Sequence, residues 1–154
     1  MLTHLLRRPA SGDDLDRYHA ELDALAGRVR VYPGVADALA AIATRVPVGV
    51  FTGASHRAAE IPLDRAGLLR HFQVVLGGDQ VDRPKPAPDG VEAACRHLGV
   101  PPGRAAYVGD SPLDVRAARH SGAVAAAAWG HQYDPGEPAD LSLSRPGEPL
   151  ALLP

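Results

Sequence analysis

The residue pattern of this chain predicts an α/β protein built on a doubly wound, Rossmann-like parallel sheet. Two observations carry that expectation. Four short apolar runs, over residues 46–52, 72–76, 105–108 and 123–129, have the composition of strands buried on both faces. Between them lie stretches whose apolar residues recur at helical spacing. Strands alternating with helices imply right-handed crossovers and parallel pairing. In such a sheet ligands bind beyond the carboxyl ends of the strands, so residues at the strand exits become the candidates for chemistry.

The first twelve residues carry few signals beyond the breakers Pro9, Ser11 and Gly12. Leu15, Tyr18, Leu22 and Leu25 then share one helical face, with acids in the first turn and Gly27 as a stop, so a helix is expected over 13–25. Pro33-Gly34 separates it from a second helix, marked by Val35, Leu39 and Ile42 and ending near Arg45. The strand over 46–52 exits through Thr52-Gly53-Ala54-Ser55, and a helix over 55–66 comes next, closed by Gly67 and weakened by Pro62. The strand over 72–76 ends in Gly77-Gly78-Asp79. Arg83-Pro84-Lys85-Pro86-Ala87-Pro88 is a stiff loop around one lysine, and the helix over 88–98 stops at Gly99. The strand over 105–108 leads through Gly109 to Asp110, a helix covers 112–120, and the last strand covers 123–129. The proline- and glycine-rich tail from Gly130 is expected to wrap the surface.

Composition bounds the function. A chain of 154 residues is about one domain and can bury a sizeable core. With 45% hydrophobic and 22% charged residues it has ordinary globular usage, which argues against wholesale disorder. A net charge of -2 gives no electrostatic reason for a nucleic-acid partner. Cys95 is the only cysteine, which rules out an internal disulfide and a cysteine metal cage. No apolar run is long enough to span a membrane, and residues 1–8 lack the order of a signal peptide. The expectation is a soluble cytoplasmic protein.

Three strand exits hold residues with chemical potential. Asp110 and Asp114 stand four apart after the third apolar run, and paired carboxylates suit magnesium, which prefers hard oxygen ligands. The same acids could simply open and cap the next helix. Thr52, with the N–H groups of Gly53 and Ala54 at a helix start, forms a candidate phosphate cradle, although a threonine there also serves as a cap. Lys85 sits between two prolines that stiffen its backbone, which is useful if an ammonium must meet an anion at a set place. Together the set can hold a phosphate between Lys85, Thr52 and a bound magnesium ion.

The order Val50-Phe51-Thr52-Gly53-Ala54-Ser55, then Gly77-Gly78-Asp79 with Arg83-Pro84-Lys85-Pro86, then Tyr107-Val108-Gly109-Asp110-Ser111-Pro112-Leu113-Asp114, resembles the haloacid dehalogenase superfamily near its phosphoglycolate phosphatase-like branch. Val31-Tyr32-Pro33-Gly34-Val35 resembles the re-entry from cap to core in that branch, and Ala128-Trp129-Gly130 its last strand exit. The resemblance implies a cap remnant over 1–30, a core domain over 31–130 and a tail over 131–154. It also implies magnesium-dependent phosphomonoester hydrolysis of a small phosphorylated metabolite. Thr52 would bind the transferring phosphoryl group, Lys85 would stabilise it and the nucleophile, Asp110 would ligate magnesium, and Asp114 would support that site. His56, Arg57 and His131 lie near strand exits, where surface or capping roles are expected first. Trp129 is expected to pack.

One part of the family pattern is missing. Its nucleophile is the first aspartate of an Asp-x-Asp motif ending a central first strand. Here Asp14-Leu15-Asp16 comes after Arg7-Arg8-Pro9-Ala10-Ser11-Gly12, which cannot be a buried strand, so the triplet reads as the start of a helix. The resemblance therefore implies an N-terminally truncated core without its first strand, weak in magnesium binding and nearly inactive alone. The gap could be filled by residues 1–6, by a complementing or identical second chain, or by direct pairing of its neighbours. The alternative function is a non-catalytic phosphate-binding or protein-interaction module. A receiver-like signalling domain is disfavoured, because no acids gather on an early strand.

Overall fold

The computed structural model describes residues 6–128 and 138–153. Helix α1, Gly12–Ala26, opens on a reciprocal cap: the Ser11 hydroxyl accepts the Asp14 N–H, and the Asp14 carboxylate accepts the Ser11 N–H. The triplet 14–16 thus begins a helix. Helix α2, Val35–Ala43, is entered from Gly34 at φ 85°, a left-handed conformation that glycine adopts without steric cost.

Strand β1, Gly49–Phe51, pairs in parallel with strand β2, Val74–Leu76, placing Val50 opposite Val75. Helix α3, His56–Arg65, connects them and continues through Pro62. The proline removes one backbone bond near the helix end, and its carbonyl still accepts the Ala66 N–H at 3.0 Å. Helix α4, Asp89–Leu98, closes on Gly99. Strand β3, Ala106–Gly109, pairs in parallel with strand β4, Val124–Ala127, across helix α5, Pro112–Ser121.

Several strands are shorter than the apolar runs suggest. Pro47 has no N–H to give a ladder, which delays β1. The Phe72 N–H goes to Leu69 at the end of a 3-10 turn, which delays β2. Trp129 and Gly130 fall outside the described residues. The tail does more than wrap: Leu141–Ser142 forms a short parallel strand β5 on the far side of β4. The Asp140 carboxylate accepts the Ala125 N–H at 2.8 Å, which pins β5 in place.

The described strands make two ladders, β1–β2 and β3–β4–β5, with none joining β1 to β3. Direct pairing across the gap therefore does not occur among the described residues. The alternative strand over 1–6 lies outside them except for Leu6. Instead the Tyr107 hydroxyl donates to the Phe51 carbonyl at 2.8 Å, a side-chain bond between two strands that share no backbone bond. Val108, beside it on β3, is 41% exposed, as an open edge requires.

The core is built from Phe51, Leu76, Val91, Cys95, Val115 and a set of small alanines that bring helix and sheet close together. A Cβ at Gly90 would land on the Phe51 ring, so α4 can lie directly on β1 only with glycine there. No helix among the described residues is long and apolar enough to cross a membrane.

Candidate functional site

The exits of β1 and β3 and the loop around Lys85 converge on one cluster. The Lys85 ammonium lies 2.6 Å from Asp114 Oδ1 and 3.3 Å from the Tyr107 hydroxyl. The pair is largely buried, with side chains 16% and 6% exposed. The ammonium also stands 5.3 Å from the Phe51 ring centre and 5.9 Å from that of Tyr107, within reach of both π faces. The lysine loop is anchored from behind, where His120 Nδ1 donates to the Pro86 carbonyl at 2.8 Å.

Asp114 has two attachments. Its Oδ2 accepts from the Ser111 N–H at 3.1 Å and from the Ser111 hydroxyl at 2.8 Å, completing a reciprocal cap of α5. Its Oδ1 faces Lys85. Burial alone would push the Asp114 carboxyl up, and the Lys85 ammonium, with the Ser111 hydroxyl, outweighs it and holds the group below its ordinary value of 3.8. A Cβ at Gly109 would fall on the Asp114 side chain, so glycine at the β3 exit is what admits the carboxylate. Burial pushes the Tyr107 phenol far above its usual range, and the charge of Asp114 adds to it.

The remaining sequence candidates are spread over the strand exits. Asp110 is exposed at the β3 exit, close enough for its charge to contribute to the raised Tyr107. Thr52 Oγ1 accepts the Ala54 N–H at 3.2 Å, so Ala54 already has a partner and Gly53 has none among the described residues. The first N–H of α3, from His56, goes to Asp79 Oδ1 at 2.8 Å. A carboxylate thus already sits at that helix start, which leaves Thr52, Gly53 and Lys85 on the β1 side for an incoming anion. His56 Nδ1 donates to the Val75 carbonyl at 3.1 Å, and Arg57 pairs loosely with Asp16 at 3.7 Å. His131 is outside the described residues.

Of the two carboxylates that suit magnesium, Asp110 is the one left exposed at the β3 exit, and one or two carboxylates with waters and substrate phosphate are what that ion ordinarily takes. Both Asp114 oxygens are taken, and among the described residues no three His, Cys, Asp or Glu side chains gather around one point. Sequence reasoning missed Tyr107. Its signal was a polar-tipped aromatic two residues before the glycine that ends an apolar run, where a buried hydroxyl needs a partner.

The parallel strands carry an ammonium, a threonine hydroxyl and carboxylates along their carboxyl edge, the side on which open α/β sheets bind ligands. The family model for haloacid dehalogenase-like hydrolases matches residues 4–122, and the chain belongs to that family. It is 40% identical over 110 residues to a phosphoglycolate phosphatase of Chromobacterium violaceum, covering 71% of this chain and 49% of that protein. It is 32% identical over 151 residues to an N-acetylmuramic acid 6-phosphate phosphatase of Pseudomonas aeruginosa, covering 94% and 66%. The crystal structure of a subfamily IA hydrolase of Geobacter sulfurreducens superposes with a TM-score of 0.76 at 23% identity, over 99% of this chain and 86% of that one, a likeness of fold. The chain spans about half the length of the phosphoglycolate phosphatase it matches.

Proposed function

We propose that this chain carries the phosphate-binding and electrostatic part of a phosphomonoester hydrolase acting on a small phosphorylated metabolite. The observation that supports it is the buried Lys85 ammonium, held at the sheet's carboxyl edge beside the peptide that carries Thr52. Lys85 and Thr52 would meet the oxygens of the phosphoryl group, where preorganised donors stabilise developing charge. Asp110 stays exposed at the rim. The two relatives named for phosphoglycolate and N-acetylmuramic acid 6-phosphate support a small phosphate monoester as the substrate class, and differ on its identity.

Within the 154 residues no Asp-x-Asp comes after an apolar strand. The aspartyl-phosphate step that splits such a hydrolysis in two therefore needs a carboxylate from another segment or chain. These residues alone are expected to hydrolyse p-nitrophenyl phosphate near background. Turnover well above background and lost in Asp110→Asn would overturn that expectation. The divided sheet supports a second reading, a phosphate-binding or interaction module, because its facing edges at β1 and β3 suit an added strand. Calorimetry with inorganic phosphate, alongside sedimentation at micromolar concentration, tests it; no heat and no assembly would sink it.

A further inference from the structure

Around Tyr107 one phenolic proton faces two acceptors, and distance decides between them. The Phe51 carbonyl, 2.8 Å away, can only accept, and the Lys85 ammonium, 3.3 Å away, can only donate. Asp114 Oδ1, 3.2 Å away, can likewise only accept, so the single phenolic proton goes to the nearer acceptor, Phe51, and a lone pair of the same oxygen receives Lys85. No proton is left for the 3.2 Å contact between that hydroxyl and Asp114 Oδ1, so the two oxygens are held together by the ammonium that serves both. Two of the three Lys85 protons are thus assigned. The third makes no hydrogen bond among the described residues.

The acceptor of the phenol is not an arbitrary carbonyl. It belongs to the peptide whose nitrogen is that of Thr52, and that N–H is fixed by the Leu76 carbonyl at 3.0 Å. The peptide plane is held by β2 on one side and by Tyr107 on the other. Packing does not need the hydroxyl: the Tyr107 ring lies 6.3 Å from the Phe51 ring between centres, a contact a phenylalanine would keep.

We propose that Tyr107 is a positioning residue that couples Lys85 to the Thr52 peptide and fixes the direction in which the ammonium offers its remaining N–H to a phosphate. The proposal rests on the phosphate-site reading above. Tyr107 touches no substrate; it sets the spacing and aim of two groups that would.

The test uses the fact that Lys85 is the only lysine in the chain. Trace acetylation read by mass spectrometry reports on Lys85 directly, with the N-terminal amine as internal standard. In the unaltered chain Lys85 is expected to react at least ten-fold more slowly than free acetyl-lysine amide, and equal rates overturn the proposal without any variant. Tyr107→Phe is expected to speed Lys85 acetylation at least five-fold and to weaken inorganic phosphate binding five- to twenty-fold. In a Lys85→Met background the same substitution is expected to change phosphate affinity less than two-fold. A purely structural role would cost the same in both backgrounds, and that result overturns the proposal. If the unaltered chain binds no phosphate, the phosphate-site reading falls and takes the proposal with it. If phosphate binds but Lys85 reactivity ignores Tyr107→Phe, the proposal alone falls.

Discussion

Helices α1 and α5 begin with the same device in different surroundings. In each, a serine hydroxyl caps the third helical N–H, and the aspartate at that position returns a carboxylate to the serine: Ser11 with Asp14, and Ser111 with Asp114. In each, a cation stands 2.6 Å from the aspartate, Arg8 in the first and Lys85 in the second. The first pair is open to water, its side chains 53% and 19% exposed, while the second is 16% and 6% exposed. The helices themselves differ as well. Helix α1 buries only His19 and Ala26, whereas α5 buries Asp114, Val115, Ala117 and Ala118. One local motif therefore serves as a surface fastening in one place and as the centre of a site in the other, and solvent decides which.

The largest expected effect lies on the buried side. Asp114→Ala leaves the Lys85 ammonium and two Ser111 donors without their partner, and breaking a buried pair in this way costs about 3–5 kcal/mol. Urea unfolding measures it, and a loss as small as that of a surface pair would erase the contrast between the two caps. The pH dependence has a definite sign. Because the folded Asp114 carboxyl lies below its ordinary value of 3.8, its contribution is fully present above that value and is lost as the pH falls through the lower, folded value. Unfolding midpoints measured below about pH 4 should therefore drop more steeply in the unaltered chain than in Asp114→Ala.

Next in size is Gly109→Ala. The added methyl would fall on the Asp114 side chain, and such overpacking costs about 1–3 kcal/mol. It should also displace the carboxylate from Lys85, so amine reactivity at Lys85 ought to rise together with the stability loss. No glycine plays this part at α1. The serines offer a matched comparison: Ser11→Ala should cost about 1 kcal/mol as an exposed cap. Ser111→Ala should cost more, up to about 3 kcal/mol, because it also strips a donor from a buried carboxylate.

Both helix starts were legible in the sequence, and so was the placing of Thr52, Lys85, Asp110 and Asp114 after apolar runs, because helix starts and sheet topology arise from local pattern; Ser11 read only as a breaker, and neither serine read as a cap. The sequence left open whether Asp114 was a cap or a metal ligand. The cap is the local part and is observed; the ion pair with Lys85, twenty-nine residues away, is tertiary and leaves no trace in spacing. Tyr107 escaped for the same reason, since its acceptor is a main-chain carbonyl fifty-six residues distant. The Asp79 carboxylate on the first N–H of α3 also went unseen, although Gly77-Gly78-Asp79 is legible as a strand end. Strand β5, two residues long, is too short for any alternation to show.

The smallest expected effect belongs to the partner of the exposed cap. Arg8 meets Asp14 through two guanidinium bonds, at 2.6 and 2.9 Å, and hydrogen bonding to Arg8 is the foremost reason the Asp14 carboxyl lies far below its usual range. Geometry alone would make this pair look as strong as the one at Lys85. In water, however, both charges regain solvation when separated, and holding a long arginine in place costs side-chain freedom. Arg8→Ala should leave the unfolding midpoint unchanged within error at about 0.15 M salt, where exposed charges are well screened, because the Ser11 hydroxyl and N–H continue to hold the aspartate. A small loss that appears only at low ionic strength would fit a screened surface pair. A loss comparable to that of Asp114→Ala at any salt concentration would show that α1 is fastened as firmly as α5, and that the shared motif, rather than its burial, sets the strength of both.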